Sequence, residues 1–344
     1  MTQNLASIGR TRAQSPKMST TAVQAQRVGT VPFRTMDTRL RQAWNAHSDR
    51  PLDVERRFIK DLDLFTRDET IEPKLRDVAR LIEHTFLGHV LSADPLLPWI
   101  EQLAGLKTTS GIGRTMSHRL DFAARVARGE TPISKNLSEG DQLGACANGL
   151  ITHCLAGSGA TGFEWIDKFA AELPTAEEAR VKAIAQTMSS LSSHIGFSKP
   201  ASAAREVMVK AAMLSRDAWR MVGNWRDVDR AEYFIAIAYV VAGRGLEAIE
   251  HGERCKAICV ENSAPAYELF FAAESIAKGA VVAGDPKRAR GELADMRALF
   301  AGVKGAGSVA YCKRKLAETE AFFQDAGVSI RQARAVTSKK TSGK

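Results

Sequence analysis

The sequence predicts an all-α protein, and three observations lead to that prediction. Alternating runs of β-branched residues, which are typical of half-buried strands, are missing from the chain. Aromatic residues make up only 7% of the composition while alanine is abundant, and this balance favours helices. From Asp37 onward apolar residues recur at i, i+3 and i+4, which is the period of an amphipathic helix.

Length and composition indicate a soluble globular protein. The chain has 344 residues, of which 44% are hydrophobic and 25% charged, and this is enough for one large core or two smaller ones. No run approaches the roughly 18 consecutive apolar residues of a membrane span. We therefore expect a protein without a membrane-spanning segment.

The positive charge is concentrated at the two ends of the chain. The formal net charge is +9, but residues 1–36 and 326–344 contain ten of the 48 basic residues and no acid. The part between them holds 38 basic and 39 acidic residues and is nearly neutral. Because nucleic-acid-binding folds usually carry their positive charge on a structured face, we expect no specific nucleic-acid partner.

Both ends are predicted to be disordered basic tails, because they contain few large apolar residues. A cytoplasmic location is the simplest expectation, and two alternatives remain for residues 1–36. An acid-free leader with arginine and serine is typical of a mitochondrial transit peptide, which would direct the protein to the matrix. A leader rich in Ser, Thr and Gln also resembles the uncleaved export signals of bacterial type III secreted proteins.

The five cysteines are scattered, odd in number and without the dense spacing of a disulfide framework. They indicate a reducing compartment and free thiols, most of them buried.

The N-terminal helical region is predicted over residues 37–130. Apolar residues favour two long helices, and two shorter ones follow after Pro95 and the loop at 108–113. The four expected helices are Leu52–Thr66, Glu72–Leu91, Leu96–Leu106 and Arg119–Arg128. Pro132 then marks a boundary, after which a second helical region is predicted over residues 131–325.

Helix starts are more sharply marked in the second region. Ser138 with Asp141, and Thr175 with Glu178, resemble capping boxes, in which a hydroxyl and an acid satisfy free amides at a helix start. They predict helices near residues 139–155 and 176–194. Pro200 is expected in the first turn of the next helix, which stops at Gly223.

Residues 229–300 are predicted to form two helical hairpins. In the first, Ile235, Ala236, Tyr239, Gly243 and Ala248 have a spacing that resembles the tetratricopeptide repeat. The second repeats the pattern with Ile276, Ala277, Gly284 and Ala289. The resemblance implies a solenoid of stacked antiparallel hairpins, since a single hairpin cannot bury its apolar face alone. An irregular helical bundle is the alternative.

Three residues depart from the family pattern. Glu232 and Gly252 stand where the family usually has aromatic residues, and Val260 replaces a terminal proline. The second hairpin also follows after 41 residues, from Gly243 to Gly284, rather than the family's 34.

The resemblance implies a protein-interaction scaffold or adaptor that binds a partner in a groove lined by the first helix of each hairpin. In the first hairpin that face would carry Arg230, Tyr233, Ile237 and Val240. Arg230 is the only Lys, Arg or Asn on residues 229–242, too few for the family's clamp on a terminal carboxylate. We therefore expect an apolar or amphipathic helix of another protein, or a second copy of this chain.

Four short patterns could carry chemistry, and each has a simpler interpretation. Residues 157–162 have the glycines of a dinucleotide loop but follow a predicted helix rather than a strand, so no cofactor is expected. His153 and Cys154 are adjacent and point apart on a helix. No catalytic residue is therefore predicted, although an enzyme with a site in a helical cavity remains an alternative.

The remaining two patterns concern metal binding. His251, Cys255 and Cys259 lie at i, i+4 and i+8, and the third is about 12 Å along the axis from the first, too far for one tetrahedral ion. His84 and His89 are five residues apart and are predicted on different faces of a helix. The sequence therefore predicts no metal site.

Overall fold

The structure, a computed structural model, describes residues 33–156, 160–198 and 200–328, and these form helices joined by short turns. The absence of any strand in these three ranges confirms the all-α prediction. None of the helices in them combines the length and hydropathy needed to cross a bilayer. The helices are α1 (Phe33–Ala46), α2 (Pro51–Ile59), α3 (Leu64–Arg67), α4 (Leu75–His84), α5 (Leu97–Gly105), α6 (Ile112–Ala127), α7 (Glu139–Ala156), α8 (Ala160–Glu172), α9 (Glu178–Phe197), α10 (Ser202–Val222), α11 (Trp225–Ala242), α12 (Gly245–Glu261), α13 (Ala266–Val282), α14 (Pro286–Phe300) and α15 (Ala306–Asp325).

The N-terminal boundary of the folded part lies earlier than predicted. Helix α1 begins at Phe33, and Met36, which the sequence assigned to the tail, is fully buried in the core. Val328, assigned to the other tail, packs against buried residues after α15 ends. The predicted tails otherwise concern residues 1–32 and 329–344, which lie outside the described residues.

Two long helices of the N-terminal prediction are interrupted. Residues 52–66 form α2 and α3, because the chain turns after Ile59 and thereby buries Leu62 and Phe65. Residues 72–91 form a 3₁₀ turn, helix α4 and a π-helical turn at Thr85–Val90. The segment ends at Leu91, which adopts a left-handed backbone with φ 57°.

The π turn overturns the expectation that His84 and His89 lie on different faces. A π-helix bonds residue i to i+5, so residues five apart stack on successive turns. Thr152 of α7 supports this turn, since its hydroxyl donates to the carbonyl oxygen of Leu87 at 2.6 Å. Nothing in the local sequence distinguishes this turn from an ordinary α-helical one.

One apolar core extends from Met36 to Ala248 and passes through the boundary predicted at residue 130. Helix α6 packs on α7 across that boundary. The approach is close at Gly149, where a Cβ atom would lie only 2.6 Å from the carbonyl oxygen of Ala123. A second cluster of buried residues, from Ile249 to Phe323, fills the C-terminal helices.

Helices α9 to α15 pack consecutively, each against the next. In addition α9 contacts α11, α11 contacts α13, and α13 contacts α15. These four helices form one row, called here the A row, while α10, α12 and α14 lie on the other side. This arrangement is consistent with the helical repeat that the sequence predicts.

The turns of both hairpins follow the prediction. Gly243 and Gly284 have φ of 78° and 75°, a left-handed conformation in which glycine ends a helix without strain. The Ser138 cap is also confirmed, because the amide of Asp141 donates to its hydroxyl at 3.1 Å. The Thr175 cap was wrong: Thr175 lies in a 3₁₀ turn, and α9 begins two residues later than predicted.

Gly252 departs from the repeat pattern because helix α13 passes close to it. A Cβ atom at Gly252 would lie 2.7 Å from Cγ1 of Ile276 and 2.8 Å from Oγ of Ser275. The place where the repeat family has an aromatic side chain therefore holds no side chain at all in this protein.

Candidate functional site

The A row contains a cavity of about 300 Å³, the first cavity. Helix α11 supplies the largest share of its wall, and α9 and α15, which are far apart in the chain, also line it. The lining is mainly apolar or aromatic and includes Tyr233, Phe234, Ile237, Val240 and Phe322. Its volume is at the lower end of the range for ligand pockets, which is about 300–1,000 Å³.

The structure brings three of the four predicted partner-binding residues to this wall. Tyr233 and Ile237 are half-buried and Val240 is buried, and all three line the first cavity. Arg230 is exposed one turn earlier on α11 and lines two smaller neighbouring cavities instead. That any of these residues binds a partner stays a prediction.

A buried acid lies behind Tyr233. Glu274 of α13 is fully buried, accepts a hydrogen bond from the Tyr233 hydroxyl at 3.0 Å, and pairs with Lys278. Burial and this carboxylate raise the pKa of Tyr233 well above its ordinary value. The phenol therefore stays protonated and fixed, so it offers its ring rather than its hydroxyl to the cavity.

A second cavity of about 130 Å³ adjoins the first and shares Tyr233, Phe234 and Tyr311 with it. Tyr267 and Phe271 complete an aromatic lining. The rings of Phe271 and Tyr311 lie 5.7 Å apart, and those of Tyr233 and Phe271 lie 5.5 Å apart.

Two carboxylates, those of Asp229 and Glu268, also line the second cavity. The Oε2 atom of Glu268 is buried and has no hydrogen-bond partner among the described residues. Its Oε1 atom lies 3.7 Å from Nε of Arg226. Because a buried carboxylate oxygen without a donor is costly, this atom marks a place where a donor from outside would be favourable.

The face of α12 that carries His251, Cys255 and Cys259 makes polar contacts with α11. Nδ1 of His251 donates to Oε2 of Glu232 at 2.6 Å, and the ring stacks on that of Tyr239. The thiols of Cys255 and Cys259 both donate to Oδ1 of Asp229, at 2.9 and 3.1 Å. His251 and the two cysteines thus bond to different acids, Glu232 and Asp229.

Asp229, Cys255 and Cys259 form a buried set whose ligand atoms lie within 4.8 Å of one another. Burial raises the pKa of Asp229, although the two thiols oppose that rise. The pKa of the Cys255 thiol is also raised well above its ordinary value, by Cys259 and by burial. The two thiols and the carboxylate thus form a self-sufficient hydrogen-bonded arrangement.

Glu232, another of the three departures from the repeat pattern, is fully buried and paired. Its Oε1 atom lies 3.1 Å from both Arg216 and Arg220 of α10, while Oε2 meets His251. Burial opposes ionisation, but the hydrogen bonds from His251 and Arg216 lower the pKa of Glu232. The residue that replaces the family's aromatic therefore joins three helices electrostatically.

Two other patterns that could carry chemistry involve the glycine loop and Cys154. Residues 157–159 of the glycine loop lie outside the described residues, and helix α7 rather than a strand precedes them. Burial raises the pKa of Cys154 to about 12, so its thiol is not a nucleophile near neutral pH.

The structure brings together three histidines that the sequence analysis did not group: His47, His84 and His89. Each offers one ring nitrogen, and these three nitrogens lie within 4.8 Å of one another. Only the π turn and the tertiary fold bring them together, so the spacing in the sequence holds no signal for the set.

No known protein-family profile matches this chain, and no curated protein is significantly similar to it in sequence.

Proposed function

We propose that the protein is a tetratricopeptide-like interaction module that binds an amphipathic helix of another protein along its A row. The observation that carries the proposal is the pair of adjoining cavities, one mainly apolar and the other aromatic and acidic. An amphipathic helix is one of the recurring partners of a helical groove and is recognised through anchors at i, i+3, i+4 and i+7.

The first cavity supports an apolar anchor. Ile237 and Phe234 are half-buried, and both line a space large enough for a leucine or phenylalanine side chain. Filling this space removes apolar area from water on both molecules, at about 25 cal/mol per Å².

The second cavity supports a cationic anchor. A lysine or arginine side chain entering it would meet several aromatic rings, which attract cations, and could donate to the free oxygen of Glu268. Arg230 is the one base among the residues that line this cavity, against two carboxylates. The preferred partner therefore carries an apolar residue and a basic residue about one helical turn apart.

A selection experiment tests the proposal. A displayed library of about 20-residue helical peptides is selected on the full chain, and the binders are measured by fluorescence anisotropy. We expect an apolar residue and a Lys or Arg at i, i+3 or i+4 to be enriched. Raising NaCl from about 50 to about 500 mM is expected to change Kd by less than about threefold, because screening acts mainly on exposed charges.

Substitutions in each of the two cavities test where the selected peptides bind. Ile237→Lys is expected to weaken the selected peptides at least about tenfold, and Glu268→Gln to weaken only those with a basic anchor. Leu246→Lys is the matched control, because Leu246 is an apolar residue of α12 that is 74% exposed. Equal binding to Ile237→Lys and Leu246→Lys, or selection of acidic peptides whose binding is lost in salt, would contradict the proposal.

A further inference from the structure

Four histidines from separate parts of the chain meet at one place on the surface. His47 follows helix α1, His84 ends α4, His89 lies in the π turn, and His194 belongs to α9. The ring of His84 lies 4.9–5.0 Å, between centroids, from each of the other three rings. The set is independent of the A-row cavities and of the function proposed for them.

In two of these rings, those of His47 and His84, the Nδ1 atom faces an oxygen that accepts a hydrogen bond. The Nδ1 atom of His47 contacts the carbonyl oxygen of Trp44, and Nδ1 of His84 lies 3.5 Å from Oδ1 of Asn148. Because these oxygens accept hydrogen bonds, each ring carries its hydrogen on Nδ1 and keeps the lone pair on Nε2.

The support extends inward from His84. The Asn148 side-chain amide donates to Glu83 at 2.6 Å, which turns its oxygen toward the histidine, and Arg119 in turn holds Glu83 at 2.7 Å. Outer partners of this kind, which fix the tautomer and direction of a ring, are typical of histidines that bind metal ions.

Two of the rings lie in surroundings that favour the neutral form. Burial, followed by the nearby His194, His89 and His47, lowers the pKa of His84 to about 3. Burial and neighbouring histidines lower the pKa of His89 as well, although Asp49 opposes that fall. Imidazole binds metal ions in its neutral form.

The distances suit a tetrahedral ion. The Nε2 atoms of His84 and His89 lie 3.3 Å apart, and two nitrogens bound at about 2.0–2.1 Å to a tetrahedral zinc ion are separated by about 3.3–3.4 Å. Imidazole ligands favour zinc, copper and nickel over magnesium and calcium, which prefer oxygen.

We propose that His47, His84 and His89 bind one divalent transition-metal ion, best matched by Zn²⁺, through their Nε2 atoms. Three protein ligands leave the fourth position to a water molecule, as in open zinc sites. The ion would join the turn after α1 to the end of α4.

The test uses the full chain without a polyhistidine tag, freed of metal by dialysis against a chelator. Titration with Zn²⁺ in a calorimeter should give one equivalent per chain. Titration with Co²⁺ should produce the visible absorption of a four- or five-coordinate ion. Zn²⁺ should also raise the melting temperature, because an ion that binds only the folded chain stabilises it.

Substitution of two of the proposed ligands, His47 and His89, tests whether they bind the ion. His47→Gln and His89→Gln replace a half-buried and an exposed side chain, so both variants are expected to keep the circular dichroism spectrum of the parent. Each should weaken Zn²⁺ binding at least about tenfold and abolish the rise in melting temperature. His118→Gln, on α6 and outside the set, is the matched control and should bind as the parent does.

Two results would overturn the proposal. One is the failure of the full chain to bind Zn²⁺ or Co²⁺ with one-to-one stoichiometry. The other is equal binding by His89→Gln, His47→Gln and His118→Gln, which would assign the metal to unrelated surface histidines.

Discussion

Individual charged residues in the core of this protein are held by opposite charges from distant parts of the chain. Arg119 is 3% exposed and lies between Glu83 and Asp141, at 2.7 and 3.0 Å. Asp141 also receives two hydrogen bonds from Arg76. Removing one member of such a group is costly because the others are left buried and unpaired.

The pairing of Asp141 predicts a specific pH dependence of stability. Burial alone would raise its pKa, but the Ser138 hydroxyl, Arg76 and Arg119 lower it from 3.8 to about 2. A carboxyl whose pKa falls on folding stabilises the protein above its unfolded pKa, by about 2 kcal/mol here. That contribution disappears as the pH falls through about 4 toward 2.

We therefore expect Asp141→Asn to be less stable than the parent by at least about 2 kcal/mol at pH 6. The difference should shrink as the pH falls toward 2, where about half of the parent's Asp141 is protonated too. Urea unfolding at several pH values measures it, with the exposed Glu101→Gln as control. A difference that stays constant with pH would show that Asp141 does not carry this charge interaction.

The sequence alone predicted only those contacts of Asp141 that come from residues close to it in the chain. Ser138 and Asp141 are three residues apart, so the cap is visible in the sequence. Arg76, by contrast, is 65 residues away from Asp141 in the chain. The ion pairs of Glu232 were not predicted either, because its partners lie on other helices. Spacing along a chain cannot reveal pairs that tertiary packing creates.

At the scale of helices, close approach depends on small residues. Helix α12 meets α13 through Gly245, Ala248 and Gly252, and a Cβ atom at Gly279 would lie 3.1 Å from that of Ala248. At Gly245 a Cβ atom would lie 2.3 Å from the backbone nitrogen of Ala283. A backbone atom cannot rotate away as a side chain can, so the two helices would have to separate.

The same substitution should therefore have opposite effects at two helical glycines. Gly245→Ala is expected to lower the free energy of unfolding by about 1–3 kcal/mol, through overpacking. Gly291→Ala lies on α14, where a Cβ atom meets nothing within 4 Å, and should raise it by about 0.5–1 kcal/mol. Chemical denaturation measures both, and equal effects would mean that α12 and α13 do not approach this closely.

The observed helix boundaries show which helix ends can be predicted from the sequence. The turns of the hairpins formed by α11 to α14 follow the prediction because Gly243 and Gly284 mark them, but α11 begins at Trp225, four residues before the predicted start. The 52–66 and 72–91 helices were predicted as continuous, since their apolar period continues through the breaks. The π turn has no residue signature, and with it the contact between His84 and His89 escaped prediction.

At the scale of the whole molecule, the two buried clusters divide the core within α12, between Ala248 and Ile249. In a stack of helices that contact mainly their neighbours, stability is expected to be local. A large cavity in one cluster should thus loosen that cluster first.

Phe270→Ala and Phe58→Ala test this division, since both side chains are fully buried, one in each cluster. Each should cost about 3–5 kcal/mol. Hydrogen exchange measured by mass spectrometry should accelerate mainly in α13–α15 for the first variant and mainly in α1–α7 for the second. Uniform acceleration in either variant would indicate one cooperative unit.

Much of the overall architecture could be predicted, and the site only in part. The all-α class follows from the absence of strand patterns, and the row of alternate helices follows from the hairpin spacing. The resemblance to the repeat family placed Arg230, Tyr233, Ile237 and Val240 on one face, and the last three of these residues share the first cavity. The acidic second cavity needed Glu268 and Tyr311, which come from helices whose arrangement the sequence does not determine.

The position of helix α15 affects what the duplication of a hairpin would do to this protein. It packs on both α13 and α14, and its buried residues include Cys312, Thr319 and Phe323. Insertion of a duplicated hairpin before α15, at the turn that contains Gly305, would lengthen the row. Such an insertion would carry Tyr311 and Phe322 away from Tyr233 and open the first cavity, so that the number of repeats and the shape of the groove cannot vary independently.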